Sequence, residues 1–419
     1  MPQSETGLRD TGIPPLGDKD AAVLPKGADQ FSWSPEQKLV AHRHMNLLFP
    51  SQIIHASQSV FSLNKRPDIS VEYSTRGDRL DIDGYMKRTN VTGLLAIKNG
   101  EIVLERYDGG NNEKTVWASR SMAKSITSTL LGIAFSKGLI KNLDEPVSVY
   151  VPELTGTMYE KVTIRQNLQM TSGIPYTEDT LNPSTDIFPL QACTLNGRKG
   201  DFVRFLVWLG SKQNVRPSPA GSVFNYSTAD SVLNGLIVER ATGLTPPAYL
   251  EQEVWQRFGM ERDGFWNMES EDGSAFAGSG VGACLRDYGR FGLFVLGGGG
   301  LPDGNRLLNE TWRRDMVTPS SASLDVSSPY GFQWWLHEFG DVLSAKAGTI
   351  NPSDPQAPAF RPRGSEKIFY ALGSSGQTIL INPSENLVIV KWAVWNGARS
   401  ELGRYEDAAF FAAITERLH

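Results

Sequence analysis

A chain of 419 residues with 41 Lys+Arg against 46 Asp+Glu carries a formal charge of -5, so it lacks the basic surplus with which nucleic-acid binders neutralise phosphates. At 40% hydrophobic and 21% charged residues it can bury a large core, which excludes intrinsic disorder for most of its length. Two cysteines, Cys193 and Cys284, are too few for a disulfide framework, and the five histidines (His42, His44, His55, His337, His419) include no His-Glu-x-x-His, which excludes the common zinc hydrolases and implies no metal or other cofactor.

Residues 1–33 are polar and rich in Gly and Pro, with no apolar run of the kind an export signal needs, and read as a disordered or loosely draped arm. No stretch approaches the roughly 20 apolar residues that cross a bilayer. The expectation is a cytoplasmic protein without a membrane partner, folded over residues 34–419. Ser34-Pro35-Glu36-Gln37 reads as a helix start with Pro at the first helical position.

Val91–Lys98 and Glu101–Tyr107 are apolar-rich runs joined by Asn99-Gly100, which predicts a hairpin. Residues 119–137 follow, with Ile126, Leu130, Ile133 and Ala134 at helical spacing and Gly138 placed to end the helix. From about 141 to 324 the pattern predicts a mainly helical lobe: Thr163-Ile-Arg-Gln166 is a capping box, and residues 230–241 read as an amphipathic helix closed by Gly243. Gly297 to Gly300 lacks a following Lys-Ser/Thr and reads as a turn. Residues 367–372, 377–381 and 387–394 are strand-like, and Glu401–Leu418 predicts a last helix with Phe410, Phe411 and Ile414 inward. The order predicts an α+β fold: an antiparallel sheet flanked by N- and C-terminal helices, built from about 34–140 and 325–419, with the helical lobe inserted between.

Ser121-Met122-Ala123-Lys124 opens the 119–137 helix. A serine and a lysine three apart share a helical face, so the amine reaches the hydroxyl. At the helix start the Ser121 N–H has no intrahelical partner and lies at the positive end of the dipole, which suits an oxyanion. Ser62-Leu-Asn-Lys65 has the same spacing, but Arg66-Pro67 follows and no helical pattern continues. Phe224-Asn-Tyr226-Ser-Thr228 presents a tyrosine on a loop before a helix, and Leu372-Gly-Ser374-Ser375-Gly376-Gln377 interrupts two strands with small residues, as a sheet edge does where a ligand approaches its backbone.

Ser-x-x-Lys, then Tyr-Ser-x one lobe later, then a Gly/Ser turn on a late strand resembles the serine beta-lactamase and penicillin-binding-protein fold. Within it, the chain is similar to the class C-related esterases and the 6-aminohexanoate-dimer (nylon oligomer) hydrolases over roughly residues 85–418, with Val149-Tyr-Val-Pro-Glu153, Met170-Thr-Ser-Gly173 and Tyr330-Gly-Phe-Gln-Trp-Trp335 as supporting matches. The resemblance implies that Ser121 is the acylated nucleophile and that Lys124 and Tyr226 form its base system. It implies an oxyanion held by the Ser121 N–H and a backbone N–H of the turn containing Ser374, Ser375, Gly376 and Gln377, and substrate contacts from Tyr176, Thr180, Asp186, Thr228 and Trp335.

Three departures shape the expected substrate. The second motif is Tyr226-Ser227-Thr228 in place of Tyr-x-Asn, and the third has Ser374 and Ser375 where a Lys-Thr-Gly or His-x-Gly cation would grip a carboxylate. Asp186 matches the aspartate with which the nylon-oligomer hydrolases hold a substrate amine, but Thr180 stands where they present a tyrosine that aids amide cleavage. These favour a small, uncharged or differently anchored ester over a lactam. An acyltransferase, an amidase on linear amide oligomers and a non-catalytic binding protein of the same fold stay open at this point, as does the oligomeric state. An alpha/beta-hydrolase is excluded because no Gly-x-Ser-x-Gly elbow occurs. Trp334, Trp335, Trp392 and Trp395 suggest an apolar wall, with His337 as a wall or packing residue.

Overall fold

Eleven strands among the described residues, and their register, explain how distant motifs converge. The computed structural model describes residues 11–25, 30–195, 197–212, 217–326, 328–336, 368–395 and 400–419; His337, the 340–366 loop and Lys367 lie outside them. In chain order the strands are β1 (Ser51–Ile54), β2 (Glu72–Thr75), β3 (Asp78–Asp81), β4 (Val91–Lys98), β5 (Glu101–Tyr107), β6 (Val116–Ala118), β7 (Gly264–Asn267), β8 (Val281–Cys284), β9 (Phe369–Gly373), β10 (Gln377–Asn382) and β11 (Leu387–Ala393).

The main sheet is antiparallel with order β5-β4-β11-β10-β9. Its first hairpin turns at Asn99 and Gly100 with φ of 52° and 80°, the left-handed pair that matches strand twist. Side chains alternate between two cores, as a period of two requires. Leu95, Ile97, Val388 and Val390 face one core, whereas Leu94, Ala96, Leu387 and Ile389 face the other. Both faces are buried, so these strands read as unbroken apolar runs.

The Glu401–Leu418 helix covers the second face, with Phe410, Phe411 and Ile414 buried as expected. The Ile82–Arg88 helix joins it there, and Tyr85 stacks on Phe410 at 3.9 Å between centroids. The other face takes the Met122–Ser136 and Leu285–Leu296 helices. At Gly292 a Cβ would meet Val388 Cγ1 at 2.4 Å, so this close helix-on-sheet packing needs glycine. The fold is α+β, as expected.

Two expectations need correction. The supposed helical lobe of 141–324 also contains β7 and β8, which pair with β1 and β6 in a second sheet of order β1-β7-β8-β6, and the Leu285–Leu296 helix belongs to the main sheet. Single four-residue strands such as Gly264–Asn267 carry too short a period to stand out from loop. The helix at 230–241, observed as Thr228–Thr242, is buried continuously from Thr228 to Val238, so it is a central helix and not an amphipathic one. Gly243 does end it, at φ 75°.

The N-terminal arm, expected to be disordered or loosely draped, is described over residues 11–25 and 30–33. Its described residues pack on the body: Asp18–Val23 is helical, Asp20 pairs with Arg43 and His44, and Thr11 O accepts from Asp263 N at 2.8 Å. Interspersed polar contacts order a segment that has no periodic apolar pattern. The Pro35–Arg43 helix starts at the capping box of Ser34 and Gln37 and packs on β6 of the second sheet. Among the described residues no helix is long and apolar enough to cross a membrane.

Candidate active site

The chain leaves β6, turns sharply and enters the Met122–Ser136 helix. Arg120, at φ 50°, makes the turn, a left-handed conformation that a non-glycine residue adopts only when its surroundings compel it. The compulsion is visible: Ser119 N donates to Val281 O at 2.6 Å, Ser119 Oγ donates to Arg120 O at 2.9 Å, and Arg120 Nε donates to His42 Nε2 at 3.1 Å. His42 Nδ1 must donate to Lys38 O at 2.6 Å, because a carbonyl only accepts. Burial and the neighbouring Arg120 hold His42 well below its usual pKa, so this histidine is a neutral support for the turn.

Ser121 occupies the N-cap of the helix and is partly exposed. One turn on, Lys124 is 1% exposed, and its Nζ lies 3.0 Å from Ser121 Oγ, 3.0 Å from Thr228 Oγ1 and 2.8 Å from Gly278 O. These three partners match the three N–H bonds of an ammonium. Burial nonetheless penalises the charge and brings the pKa down to about 8, against a smaller upward pull from Glu178.

Tyr226 stands beside this amine, with Lys124 Nζ 5.0 Å from its ring centroid, and it stacks on Trp335 at 5.4 Å and 24°. Its loop is held by the Met170–Gly173 segment. Met170 O accepts from Asn225 N at 2.9 Å, Thr171 O accepts from Gly221 N at 2.7 Å, and Gly173 O accepts from Ser218 N at 3.0 Å. A Cβ at Gly173, φ 75°, would sit 2.1 Å from Ser218 O, which is why a glycine ends this motif. Ser227 then caps the next helix by accepting from Asp230 N.

The third motif lies against the Ser119–Ser121 turn. A Cβ at Gly373 would meet Ser119 O at 2.5 Å and Arg120 Cβ at 3.1 Å. Ser374 to Gly376 form a tight turn with Ser375 at φ 62° and Gly376 at φ 96°, both left-handed. Gln377 is an anchor: its Oε1 accepts from Trp117 Nε1 at 2.9 Å and its Nε2 donates to Ala393 O at 2.8 Å. Trp117 stacks between His42 and Trp392, so the two motifs are fastened through one aromatic column.

The remaining sequence-predicted residues divide. Thr228 is in contact with Lys124, and Trp335 with Tyr226. Tyr176 is buried, and its carbonyl accepts from Asn225 Nδ2 at 3.0 Å, so it supports the tyrosine loop. Asp186 accepts from Thr177 N at 3.0 Å and Thr177 Oγ1 at 2.9 Å and is ion-paired with Lys212. Its carboxylate is engaged within the protein. Thr180 is half-buried in the same loop. Of the four tryptophans, Trp334, Trp392 and Trp395 are core residues and only Trp335 is partly open. Lys65, in the second Ser-x-x-Lys, bonds Glu105 at 3.0 Å and stands outside any helix.

Two contributors went unmarked in the sequence. Gly278 supplies a carbonyl to Lys124, and Glu178 Oε2 accepts from Thr228 N at 3.0 Å and Thr228 Oγ1 at 2.7 Å. The small-residue run Gly278-Ser-Gly280 was the one local signal for the former. Nothing in the pattern around Glu178 separates it from an exposed loop acid.

The family model described as Beta-lactamase matches residues 80–412. The chain belongs to the beta-lactamase family. This family member is a serine hydrolase and is 26% identical over 331 residues to the 6-aminohexanoate-dimer hydrolase of Paenarthrobacter ureafaciens, covering 75% of each chain. A Bacillus anthracis protein assigned by name to the 6-aminohexanoate-dimer hydrolases superposes with a TM-score of 0.76 at 20% identity, over 95% of this beta-lactamase family chain and 97% of that one. A class C beta-lactamase gives 0.56 at 18% identity over 80% and 93%. At those identities the two structures speak for the fold.

Proposed function

We propose that this serine hydrolase cleaves a small carboxylic ester, and more slowly an amide, through an acyl-enzyme on Ser121, with Lys124 and Tyr226 as its base system. The observation that carries the reading is the buried Lys124 amine 3.0 Å from Ser121 Oγ. A pKa of about 8 leaves part of the lysine neutral near pH 7, able to take the serine proton as Oγ attacks the acyl carbon. The conjugate ammonium, beside the Tyr226 ring, returns a proton to the leaving group. The helix N-terminus at Ser121 and the Ser374–Gly376 turn are the proposed stabilisers of the oxyanion.

The preference for an uncharged ester over a cationic amide rests on Asp186, whose carboxylate is already satisfied by Thr177 and Lys212. An alkoxide or phenolate also leaves with less proton assistance than an amine. A linear amide is the second reading, and it rests on the name of the Paenarthrobacter relative. The cytoplasm is the proposed location.

A serine-directed phosphonate followed by intact mass and peptide mapping tests the nucleophile. Labelling is expected at Ser121 alone, and Ser121→Ala is expected to lose p-nitrophenyl ester turnover by on the order of a thousandfold or more. A label elsewhere rejects the assignment. Parallel rates on matched p-nitrophenyl esters and anilides separate esterase from amidase.

A further inference from the structure

Resting on the Ser121/Lys124 reading above, we propose that Glu178 is a positioning residue that fixes the direction of the Lys124 lone pair through Thr228. The argument is one of hydrogen-bond sense. A neutral amine has two N–H donors and one lone pair, and it must distribute them among Ser121 Oγ, Thr228 Oγ1 and Gly278 O. Gly278 O only accepts. A threonine hydroxyl in isolation could accept from the amine or donate to it, and in the second case it would occupy the lone pair and disable the base.

Glu178 removes that freedom. Its Oε2 receives Thr228 N–H at 3.0 Å and faces Thr228 Oγ1 at 2.7 Å. A carboxylate has no proton to give, so the hydroxyl proton points to Glu178 and Thr228 Oγ1 turns its lone pair to Lys124. With both other partners confined to accepting, the lone pair of the neutral amine is left for the Ser121 hydroxyl. Thr228 and Glu178 therefore select one orientation of the base before substrate arrives, a preorganisation with no direct contact between Glu178 and the reacting atoms.

The ionisable groups around this relay come from four elements. Lys124 is faced by Tyr226 from the loop before the Thr228–Thr242 helix and by Glu178 from the 176–186 loop. Glu178 in turn acts on Tyr176 of its own loop and on Tyr330, both of which burial and its charge hold well above the ordinary tyrosine range. Both phenols are thus neutral near pH 7, and Glu178 is the negative charge acting on Lys124.

Pre-steady-state acylation by p-nitrophenyl acetate across pH, in the full-length chain, tests the proposal with two variants. Glu178→Ala frees the Thr228 hydroxyl, and the acylation rate at its pH plateau is expected to fall about tenfold or more with KM for the ester little changed. Glu178→Gln presents Oε1 to the same two hydrogens but without charge. It is expected to keep most of the plateau rate while its acid limb moves down by about half a unit, because a nearby negative charge no longer favours the ammonium. Wild-type acylation in Glu178→Ala overturns the proposal, as does equal impairment of both variants with an unmoved limb. Either result leaves the base assignment intact as long as Ser121 still labels and Lys124→Ala still abolishes the burst; loss of those two sinks the underlying reading instead.

Discussion

Acidifying the medium is expected to silence acylation through Lys124. Its amine is 1% exposed and its pKa comes down from 10.5 to about 8, a shift that corresponds to about 3 kcal/mol of penalty on the charged form. The sign follows from the proposed base role: if the neutral amine accepts the serine proton, activity rises with pH and levels off above about 8. A pKa of about 8 leaves about 9% of the lysine neutral at pH 7 and about 1% at pH 6, close to a tenfold fall per unit. Stopped-flow release of p-nitrophenol from an acetate ester between pH 5.5 and 9.5, read at an absorbance independent of its ionisation, gives the acylation limb directly. A plateau that already extends below about pH 6.5 would refute the reasoning, because it would mean that a carboxylate or an ordinary histidine is the base.

Asp230, one helical turn beyond Tyr226, is the internal control for that experiment. It is buried against Tyr159 and its pKa is raised to about 7 by burial. A carboxyl with a raised folded pKa adds stability that is complete below its unfolded value near 4 and lost as pH rises through about 7. Thermal melts of Asp230→Asn are therefore expected to lose that dependence and to gain stability over wild type at pH 8, while the acylation limb stays put. At Gly278 a Cβ would meet Thr228 Cγ2 at 2.5 Å, so Gly278→Ala is expected to push apart two of the three Lys124 partners, costing about 1–3 kcal/mol in urea melts and slowing acylation more than it alters KM.

The Met122–Ser136 helix shows why part of the site was legible in advance. Residues three apart on a helix share a face whatever surrounds them, so Ser121 and Lys124 could be paired from spacing alone, and the apolar continuation separated them from Ser62 and Lys65. The hairpin at Asn99-Gly100 and the Gly243 terminus were legible for the same reason, since a left-handed backbone position selects its residue locally. Asp186 illustrates the opposite case. Its substrate-binding role was an expectation drawn from resemblance, but its engagement by Lys212, 26 residues on, depends on how two loops meet.

The sequence by itself determined the Ser121–Lys124 pairing at a helix start, the hairpin at Asn99-Gly100 and the strands on either side of the Gly/Ser turn, because each is written in a short-range period or turn, whereas the roles proposed for Ser121, Lys124 and Tyr226 came from resemblance to a family. Tertiary structure alone decided that β7 and β8 form a second sheet, that residues 11–25 rest on the body, and that Glu178 and the Gly278 carbonyl complete the surroundings of Lys124. Those features depend on contacts between residues as far apart as Thr11 and Asp263. The pKa of a buried amine, and the direction of its lone pair, are properties of the assembled surroundings and of no single segment.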